Sequence, residues 1–462
     1  MGQKRRKGVC EEARRQQVAQ IDKQILSLKR PHGEGVFKRR ARWTGYQWAI
    51  LLLISSASTL SFIDRINISI VNPVWIMHYH LSGAQAGFVL SIFSWTYALG
   101  LLFAGPMAMR WHQKHVLPLG MVLWTAATWL TALMFSVPLF TIARSLLGIG
   151  ESTLIPSNMR IAAEIFDRAD RTKAVSAFFA GGQLGPAIGA PIAAFVLTRL
   201  GWQAVFLVTG AFSIIWLLLW LPVYRPDKGV IAEDDEASSE GERPQSAQWL
   251  SLLKHRKTWA LMIGQFGLLY MLYVYVTWLP SILVLQHHIG ILSAGWFTSL
   301  IFLVNACMMV ISGWVADFWL QRGGNLTLVR KTFCCGGMSL ATIGIVAAAY
   351  VQNPLMTITM FILAICGLGM ATPSSTILPI DMVPRHTVAS LFGIATFFGN
   401  IGAAIAPLLT GLVYGWTGGF QIALLLTGAV TLVCGVGGFG LLLGKVEKFG
   451  QSDTRVVQEA LQ

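Results

Sequence analysis

The chain has 462 residues, of which 54% are hydrophobic and only 12% are charged. A protein of this composition cannot cover a water-facing surface with polar groups, which excludes a soluble globular protein. The formal net charge of +14 does not indicate nucleic-acid binding, because membrane proteins retain Lys and Arg in their cytoplasmic loops.

Apolar runs that are long enough to cross a bilayer recur along the whole chain. A membrane-spanning helix needs about 20 such residues. Runs of this kind cover 46–72, 82–106, 115–134, 137–163, 173–198, 203–222, 258–285, 294–316, 332–349, 355–380, 388–414 and 420–443. The sequence therefore predicts an all-α integral membrane protein with twelve transmembrane helices.

Basic residues fall in alternate loops between these runs. They occur in KRRK (4–7), KRRAR (38–42), MRWHQK (109–114), DRADRTK (167–173), KHRK (254–257), VRK (329–331), PRH (384–386) and GKVEK (444–448). The opposite loops are short and contain only Arg199. By the positive-inside rule, the basic loops and both termini are expected in the cytoplasm.

Two halves of the chain carry related strings. RTKAVSAF (171–178) aligns with RHTVASLF (385–392), and FLVTGA (206–211) aligns with LLLTGA (424–429). We predict two six-helix halves, 45–222 and 257–444, with a basic tail at 1–44, an acidic linker at 223–256 and a second tail at 445–462. Repeated halves of this kind are typical of transporters that bind substrate near the membrane midplane and work by alternating access.

The N-terminal tail contains VAQIDKQILSLKR, in which apolar residues recur at helical spacing opposite Lys and Arg. This pattern is compatible with a helix on the membrane surface. A solvated basic tail without fixed structure is an equal alternative.

Charged residues lie deep inside two of the apolar runs. The first run contains Asp64 and Arg65 in SFIDRINISI, and the fourth contains Arg144 and Glu151 in TIARSLLGIGES. At about 1.5 Å per residue, Asp64 and Arg65 are expected roughly 10 Å below the outer boundary near Asn72, with Arg144 at a similar depth. Glu151 follows Arg144 by almost two turns, so it shares the same helix face about 10 Å deeper. We expect the two helices to exchange charges, with Asp64 and Arg144 as an interacting pair.

Two interpretations of these charges remain open. They can form a structural salt-bridge cluster that only fixes helix register, or they can form a functional site, as intramembrane charges usually do. Low dielectric favours the protonated form of an acid, so Asp64 or Glu151 could bind and release a proton. A guanidinium matches a carboxylate with two parallel hydrogen bonds, so Arg65 or Arg144 is suited to an anionic substrate. The Cys and His residues show no metal-ligand pattern, and we expect neither a metal nor a cofactor.

From about Trp43 to Gly444 the chain resembles the major facilitator superfamily, and within it the anion:cation symporter family. The motifs that carry the resemblance are FIDRINISI in the first run, RSLLGIGESTLIPSNMR (144–160), GGQLG (181–185), GQF (264–266) and TWLP (277–280). The chain is most similar to bacterial sugar-acid symporters of the galactonate and hexuronate type. The resemblance implies that Asp64, Arg144 and Glu151 couple protons and that Arg65, Tyr97 and Gln183 bind the substrate.

Several positions depart from the sugar-acid relative. Phe62 stands where that relative has Tyr, and Thr372, Ser374 and Ser375 stand where it has Ser, Thr and Trp. Thr396 replaces an Asn. We predict that Thr372, Ser374 and Thr396 line the substrate pocket. Because loss of a buried hydrogen bond costs about 1 to 3 kcal/mol, we expect a different acid to be carried.

Aromatic residues concentrate in the seventh run, at Tyr270, Tyr273, Tyr275 and Trp278. They could gate the substrate pathway. Packing against lipid or at the membrane interface is the alternative explanation.

We therefore expect a monomeric, proton-coupled importer of a small organic anion in the lipid bilayer of a bacterial inner membrane. A proton-driven antiporter that exports a drug or metabolite is the main alternative, although a buried Arg disfavours a cationic cargo. A membrane enzyme or receptor would need a catalytic constellation or a folded extramembrane domain. The sequence shows neither.

Overall fold

A computed structural model describes residues 43–225, 252–383 and 385–447, and the regular structure within them is entirely helical. The chain divides into two units, residues 1–48 and residues 49–462. In the first unit the rings of Trp43 and Trp48 lie 4.8 Å apart. The predicted tail helix and most of the predicted linker and C-terminal tail lie outside the described residues.

The first set of helices runs from α1 to α7. Its members are α1 Gly45–His78, α2 Gly83–Arg110, α3 Gln113–Ala132, α4 Val137–Glu151, α5 Leu154–Ile165, α6 Arg168–Leu200 and α7 Trp202–Val223. Helix α1 continues six residues beyond the predicted end at Asn72. Arg65 is therefore about 20 Å from the end of its helix, rather than about 10 Å.

The second set runs from α8 to α14 and includes three π-helical segments. Its members are α8 Arg256–Ser281, continued by Ile282–Gln286; α9 Ile291–Gln321; α10 Leu326–Lys331, continued by Thr332–Gly336; α11 Gly337–Tyr350; α12 Pro354–Met382; α13 Arg385–Thr417; and α14 Gln421–Val430, continued by Thr431–Leu442.

Among the described residues, 11 helical segments are long and apolar enough to cross a membrane, judged by length and composition alone. The predicted fourth run is not one of these, because it is divided into α4 and α5 at Ser152 and Thr153. The hydroxyl groups of these two residues donate to the carbonyl groups of Ile149 and Gly150, at 2.7 and 2.9 Å. Pro156 lacks an N–H group and cannot donate to the Ser152 carbonyl, which favours the break here.

Helices α2 and α13 approach each other at backbone distance. A Cβ atom on Gly83 would meet the backbone of Gly411, and one on Gly87 would lie 2.6 Å from the Pro407 carbonyl oxygen. The Ser91 hydroxyl donates to the Ala404 carbonyl on the same interface. Glycine is required here because any side chain would separate the helices.

Two further helix pairs join the sets near the end where α1 stops and α2 begins, which we call the contact end. In the α6–α9 pair, Gly295 packs against Ala194, and the Ser299 hydroxyl donates to the Ala187 carbonyl. In the α1–α8 pair, Ser69 and Asn72 of α1 donate hydrogen bonds to α8. Small residues and polar groups thus hold the two sets together at this end.

Candidate functional site

Helix α1 directs Asp64 and Arg65 to different surroundings, because consecutive residues of an α-helix point about 100° apart. Both are buried, with 3% of Asp64 and 7% of Arg65 exposed. Arg65 faces α2, α4 and α8, whereas Asp64 lies near residues of α3 and α7.

Arg65 and Glu151 form a buried ion pair between α1 and α4. The Nε atom of Arg65 donates to Oε2 of Glu151 at 2.9 Å, and the Ser61 hydroxyl donates to the same oxygen at 2.6 Å. The other oxygen, Oε1, has no hydrogen-bond partner among the described residues. Glu151 is fully buried, so its charge when ionised is compensated by these contacts and by the nearby Arg144.

Three aromatic rings surround the Arg65 guanidinium. Its central carbon lies 4.6 Å from the ring centre of Phe62, 4.9 Å from that of Phe93 and 4.8 Å from that of Tyr97. Such cation–π contacts stabilise a desolvated guanidinium by about 2 kcal/mol. Glu151 and Tyr273 use two of its five N–H donors, so donors remain for an anion.

A further contact of Arg65 comes from the second helix set. Its Nη1 atom donates to the Tyr273 hydroxyl of α8 at 3.2 Å. Tyr273 is 8% exposed, and Tyr270, Tyr275 and Trp278 are buried as well. The lipid-facing alternative for this aromatic group is therefore wrong.

Two further hydrogen bonds join α1 to α8 along the same face toward the contact end. The Ser69 hydroxyl donates to the Thr277 carbonyl at 2.9 Å, and the Asn72 amide donates to the Ser281 hydroxyl at 2.9 Å. With the bond to Tyr273, they form a polar ladder between the two helices. Sequence reasoning missed this ladder, although Ser69 and Asn72 are polar residues within an apolar helix.

Asp64 has amide and hydroxyl neighbours rather than aromatic ones. Asn67 donates to its Oδ1 at 3.4 Å and to the Thr209 hydroxyl of α7 at 3.0 Å. Thr128 of α3 also lies close enough to interact with the carboxylate. Oδ2 has no hydrogen-bond partner among the described residues. All these neighbours belong to the first helix set.

Arg144 is 3% exposed, and its guanidinium lies 5.2 Å from the ring centre of Phe93. The same ring contacts Arg65, so both arginines pack against Phe93. Within the described part of the chain, Arg144 forms no ion pair shorter than 4.0 Å and its Nε has no partner. Asp64 and Arg144, predicted as an interacting pair, lie within electrostatic range but are not in direct contact.

The predicted substrate residues occupy several places. Tyr97 lies at Arg65 and stacks on Phe93 at 5.8 Å. Gln183 of α6 is half-buried and accepts a hydrogen bond from Asn305 of α9 at 3.4 Å. Asn305 was not identified from the sequence, although an amide inside an apolar helix is a signal for an interhelical contact.

Thr372, Ser374 and Thr396 lie on α12 and α13, and no hydrogen bond among the described residues links them to Arg65. The Thr372 hydroxyl donates to the Leu368 carbonyl at 2.8 Å, and the Thr396 carbonyl accepts from Asn400 at 2.9 Å. Ser374 is 2% exposed. Within the described residues, these three side chains do not join the charged cluster.

The chain matches the sequence profile of the Major Facilitator Superfamily over residues 54–407, and again over residues 329–459. It is 29% identical to the D-galactonate transporter of Escherichia coli O6:H1, over 87% of this chain and 97% of that one. It is 28% identical to the probable galactarate/D-glucarate transporter GudP of Escherichia coli K12, over 88% of this chain and 95% of that one. The chloroplastic ascorbate transporter of Arabidopsis thaliana is 27% identical, over 84% and 74%.

Solved structures share the fold. A bacterial homolog of the human lysosomal transporter Spinster, in an inward-facing and unoccupied conformation, has a TM-score of 0.74 at 17% identity, over 86% of this chain and 97% of that one. A D-xylose–proton symporter has a TM-score of 0.67 at 17% identity, over 87% and 98%.

Proposed function

Because this chain belongs to the Major Facilitator Superfamily, we propose that it is a proton-coupled symporter that imports a small organic anion, such as a sugar acid or another carboxylate. The broader class is given by its relatives: it is a multi-pass membrane protein and a secondary transporter, not an enzyme. Proton coupling, the direction of transport and the substrate are the proposed parts.

The observation that carries the proposal is the buried ion pair between Arg65 and Glu151. Ionised Glu151 occupies Arg65, and a carboxylate substrate would compete for the same guanidinium. Protonation of Glu151 neutralises it and frees Arg65 for the anion. The buried charge then stays balanced, whereas either event alone would leave an uncompensated charge, which costs several kcal/mol. Proton and anion would therefore bind together.

Asp64 and Arg144 supply a second acid and base in the same helix set. In the proposed mechanism Asp64 is a further proton-coupling group, and Arg144 compensates whichever acid is ionised. The net charge of the four groups is zero when both acids are ionised. Tyr97, Gln183, Thr372, Ser374 and Thr396 are proposed to contact the rest of the substrate.

The names of the relatives support an organic anion as substrate. D-galactonate, galactarate, D-glucarate and ascorbate are acids that carry several hydroxyl groups. The changes at Phe62, Ser375 and Thr396 alter hydrogen-bonding groups, so we propose that the preferred acid differs from D-galactonate.

We propose twelve membrane crossings, with α4 and α5 together forming the fourth. The 29 residues from Val137 to Ile165 span roughly 40 Å, which exceeds the hydrocarbon thickness of about 30 Å. An even number of crossings agrees with both termini in the cytoplasm. We propose that the protein is a monomer in an inner membrane.

The helix contacts support two related halves, 45–222 and 257–444, that move relative to each other. Residues that bond across the α1–α8 pair are 208 or 209 positions apart, near the offset between the repeated strings. With cytoplasmic termini, the contact end faces outward. The described conformation would then be closed to the outside, like the inward-facing structural neighbour.

Reconstitution into liposomes tests this function. The purified chain should accumulate one radiolabelled sugar acid or carboxylate when an inward proton gradient is imposed, and Arg65→Ala should abolish uptake. Arg65→Lys is the matched control, since it keeps the charge but loses the planar fork of donors. Proton-driven efflux of a neutral or cationic compound, without uptake of any acid, would contradict the proposal and support the antiporter.

A further inference from the structure

The amide groups of Gln183 and Asn305 meet where α6 and α9 face each other. Asn305 is 3% exposed, and its Nδ2 atom donates to Oε1 of Gln183 at 3.4 Å. The Met309 sulfur lies 4.0 Å from the same nitrogen and is a weak acceptor. Because a thioether accepts and does not donate, the Met309 sulfur favours the orientation of the Asn305 amide that places Nδ2 beside it.

The contact determines which end of the Gln183 amide remains available. Its Oε1 is taken by Asn305, whereas its Nε2 has no hydrogen-bond partner among the described residues. Gln183 is only half-buried, so the Nε2 group can reach a ligand. An amide held in this way presents N–H donors and not a carbonyl oxygen.

The turn of α6 that carries Gln183 packs against the same Phe62 ring that covers the arginine. The Phe62 ring covers the Arg65 guanidinium at 4.6 Å, and its edge packs against Gly182, where an added Cβ would lie 3.0 Å from the ring. One aromatic ring therefore contacts both the proposed anion anchor and the turn of α6 that carries Gln183. A ligand that reaches both must carry a carboxylate at one end and an acceptor further along its chain.

We propose that Asn305 is a positioning residue for substrate specificity, which holds the Gln183 amide so that its N–H group faces an acceptor on the substrate. This inference rests on the proposed function and narrows its substrate to carboxylates with a second hydrogen-bond acceptor, such as a hydroxyl oxygen or another carboxylate. A carboxylate with an apolar tail is disfavoured, because it leaves the Gln183 amide without a partner.

A double-mutant cycle on the full chain in liposomes tests the inference. The variants are Asn305→Leu, Gln183→Leu and the double variant, and the probes are D-galactonate, D-glucarate and ascorbate. Each single variant should raise the KM of the best-transported acid by about 5- to 100-fold and leave the maximal uptake rate within about twofold. The double variant should equal Gln183→Leu alone, because Asn305 acts through Gln183.

Additive effects of the two substitutions, an unchanged KM in Asn305→Leu, or a fall in maximal rate with the KM unchanged would each overturn the role of Asn305. If Asn305→Leu does not fold, Asn305→Ser removes the amide with a smaller side chain and takes its place. Wild-type transport of none of the three acids would overturn the inference together with the proposed substrate class. If wild type transports one of the acids but the effects of the two substitutions are additive, the inference about Asn305 is overturned and the proposed function is not.

Discussion

Asp64 and Arg65 are neighbours in the chain, yet they belong to two different regions of the molecule. The Arg65 region is aromatic, contains Glu151, and reaches across to Tyr273 of the second helix set. The Asp64 region is built from amide and hydroxyl groups of α1, α3 and α7. Movement between the sets would therefore change the contacts of Arg65 directly but not those of Asp64.

This difference suggests a division of tasks within one dipeptide. Arg65 lies where substrate, proton carrier and the opposite helix set can all contact one guanidinium. Asp64 is enclosed within one set and can affect the substrate only through charge. Substitutions in the Arg65 region and in the Asp64 region should therefore alter different measurable properties.

The largest effect is expected from Glu151→Gln. The neutral amide imitates a permanently protonated acid and can still accept from Ser61, so exchange of labelled substrate across the membrane should persist. Accumulation should be lost. One proton that moves down a gradient of one pH unit contributes about 1.4 kcal/mol, which supports about tenfold accumulation. Exchange and gradient-driven uptake measured in the same liposomes test this, and undiminished accumulation would exclude Glu151 as the proton carrier.

The matched change in the Asp64 region is Asp64→Asn. Because Asp64 does not contact Arg65, the substrate affinity should stay within about threefold of wild type, while gradient-driven accumulation falls. Arg65→Lys should show the opposite pattern, with a large loss of affinity. Substrate binding to the purified variants, measured by isothermal titration, would distinguish the two patterns. An equal loss of affinity in Asp64→Asn and Arg65→Lys would mean that the regions act as one site.

Tyr273→Phe removes the hydroxyl that joins Arg65 to the second helix set. Loss of this hydrogen bond should destabilise the described conformation by about 0.5 to 1.5 kcal/mol, which corresponds to a shift of about 2- to 10-fold toward opening of the contact end. A cysteine at the buried Ser281, in a chain without its native cysteines, reports this opening through its rate of alkylation. Asp64→Asn in the same background should leave the rate unchanged, and equal acceleration by both would contradict the distinction between the regions.

The smallest effect is expected from Thr209→Val, which keeps the shape of the side chain. It removes the acceptor for the Asn67 amide at 3.0 Å, and a lost buried hydrogen bond of this kind costs about 1 kcal/mol. The melting temperature should fall by about 2 °C, while the KM for substrate stays at its wild-type value. A raised KM with an unchanged melting temperature would place Thr209 in the substrate site instead.

Most of the architecture follows from local properties of the sequence. Eleven of the twelve predicted runs coincide with helices of membrane-spanning length, because length and hydropathy are properties of each segment alone. The fourth run was correctly recognised as apolar, but its division at Ser152 was not foreseen. That break depends on hydroxyl groups that bond back to the preceding turn, a competition that hydropathy does not describe.

The sequence by itself determined the membrane class, the superfamily and the four charged residues of the candidate site, since charges in an apolar run are costly wherever they occur. Only the tertiary structure decided which side chains meet. Glu151 pairs with Arg65, Tyr273 contacts Arg65 across the helix sets, and Asn305 bonds to Gln183. The physical reason is that each residue turns a helix face by about 100°. Which side chains meet therefore depends on the rotation and packing of whole helices, which no local pattern specifies.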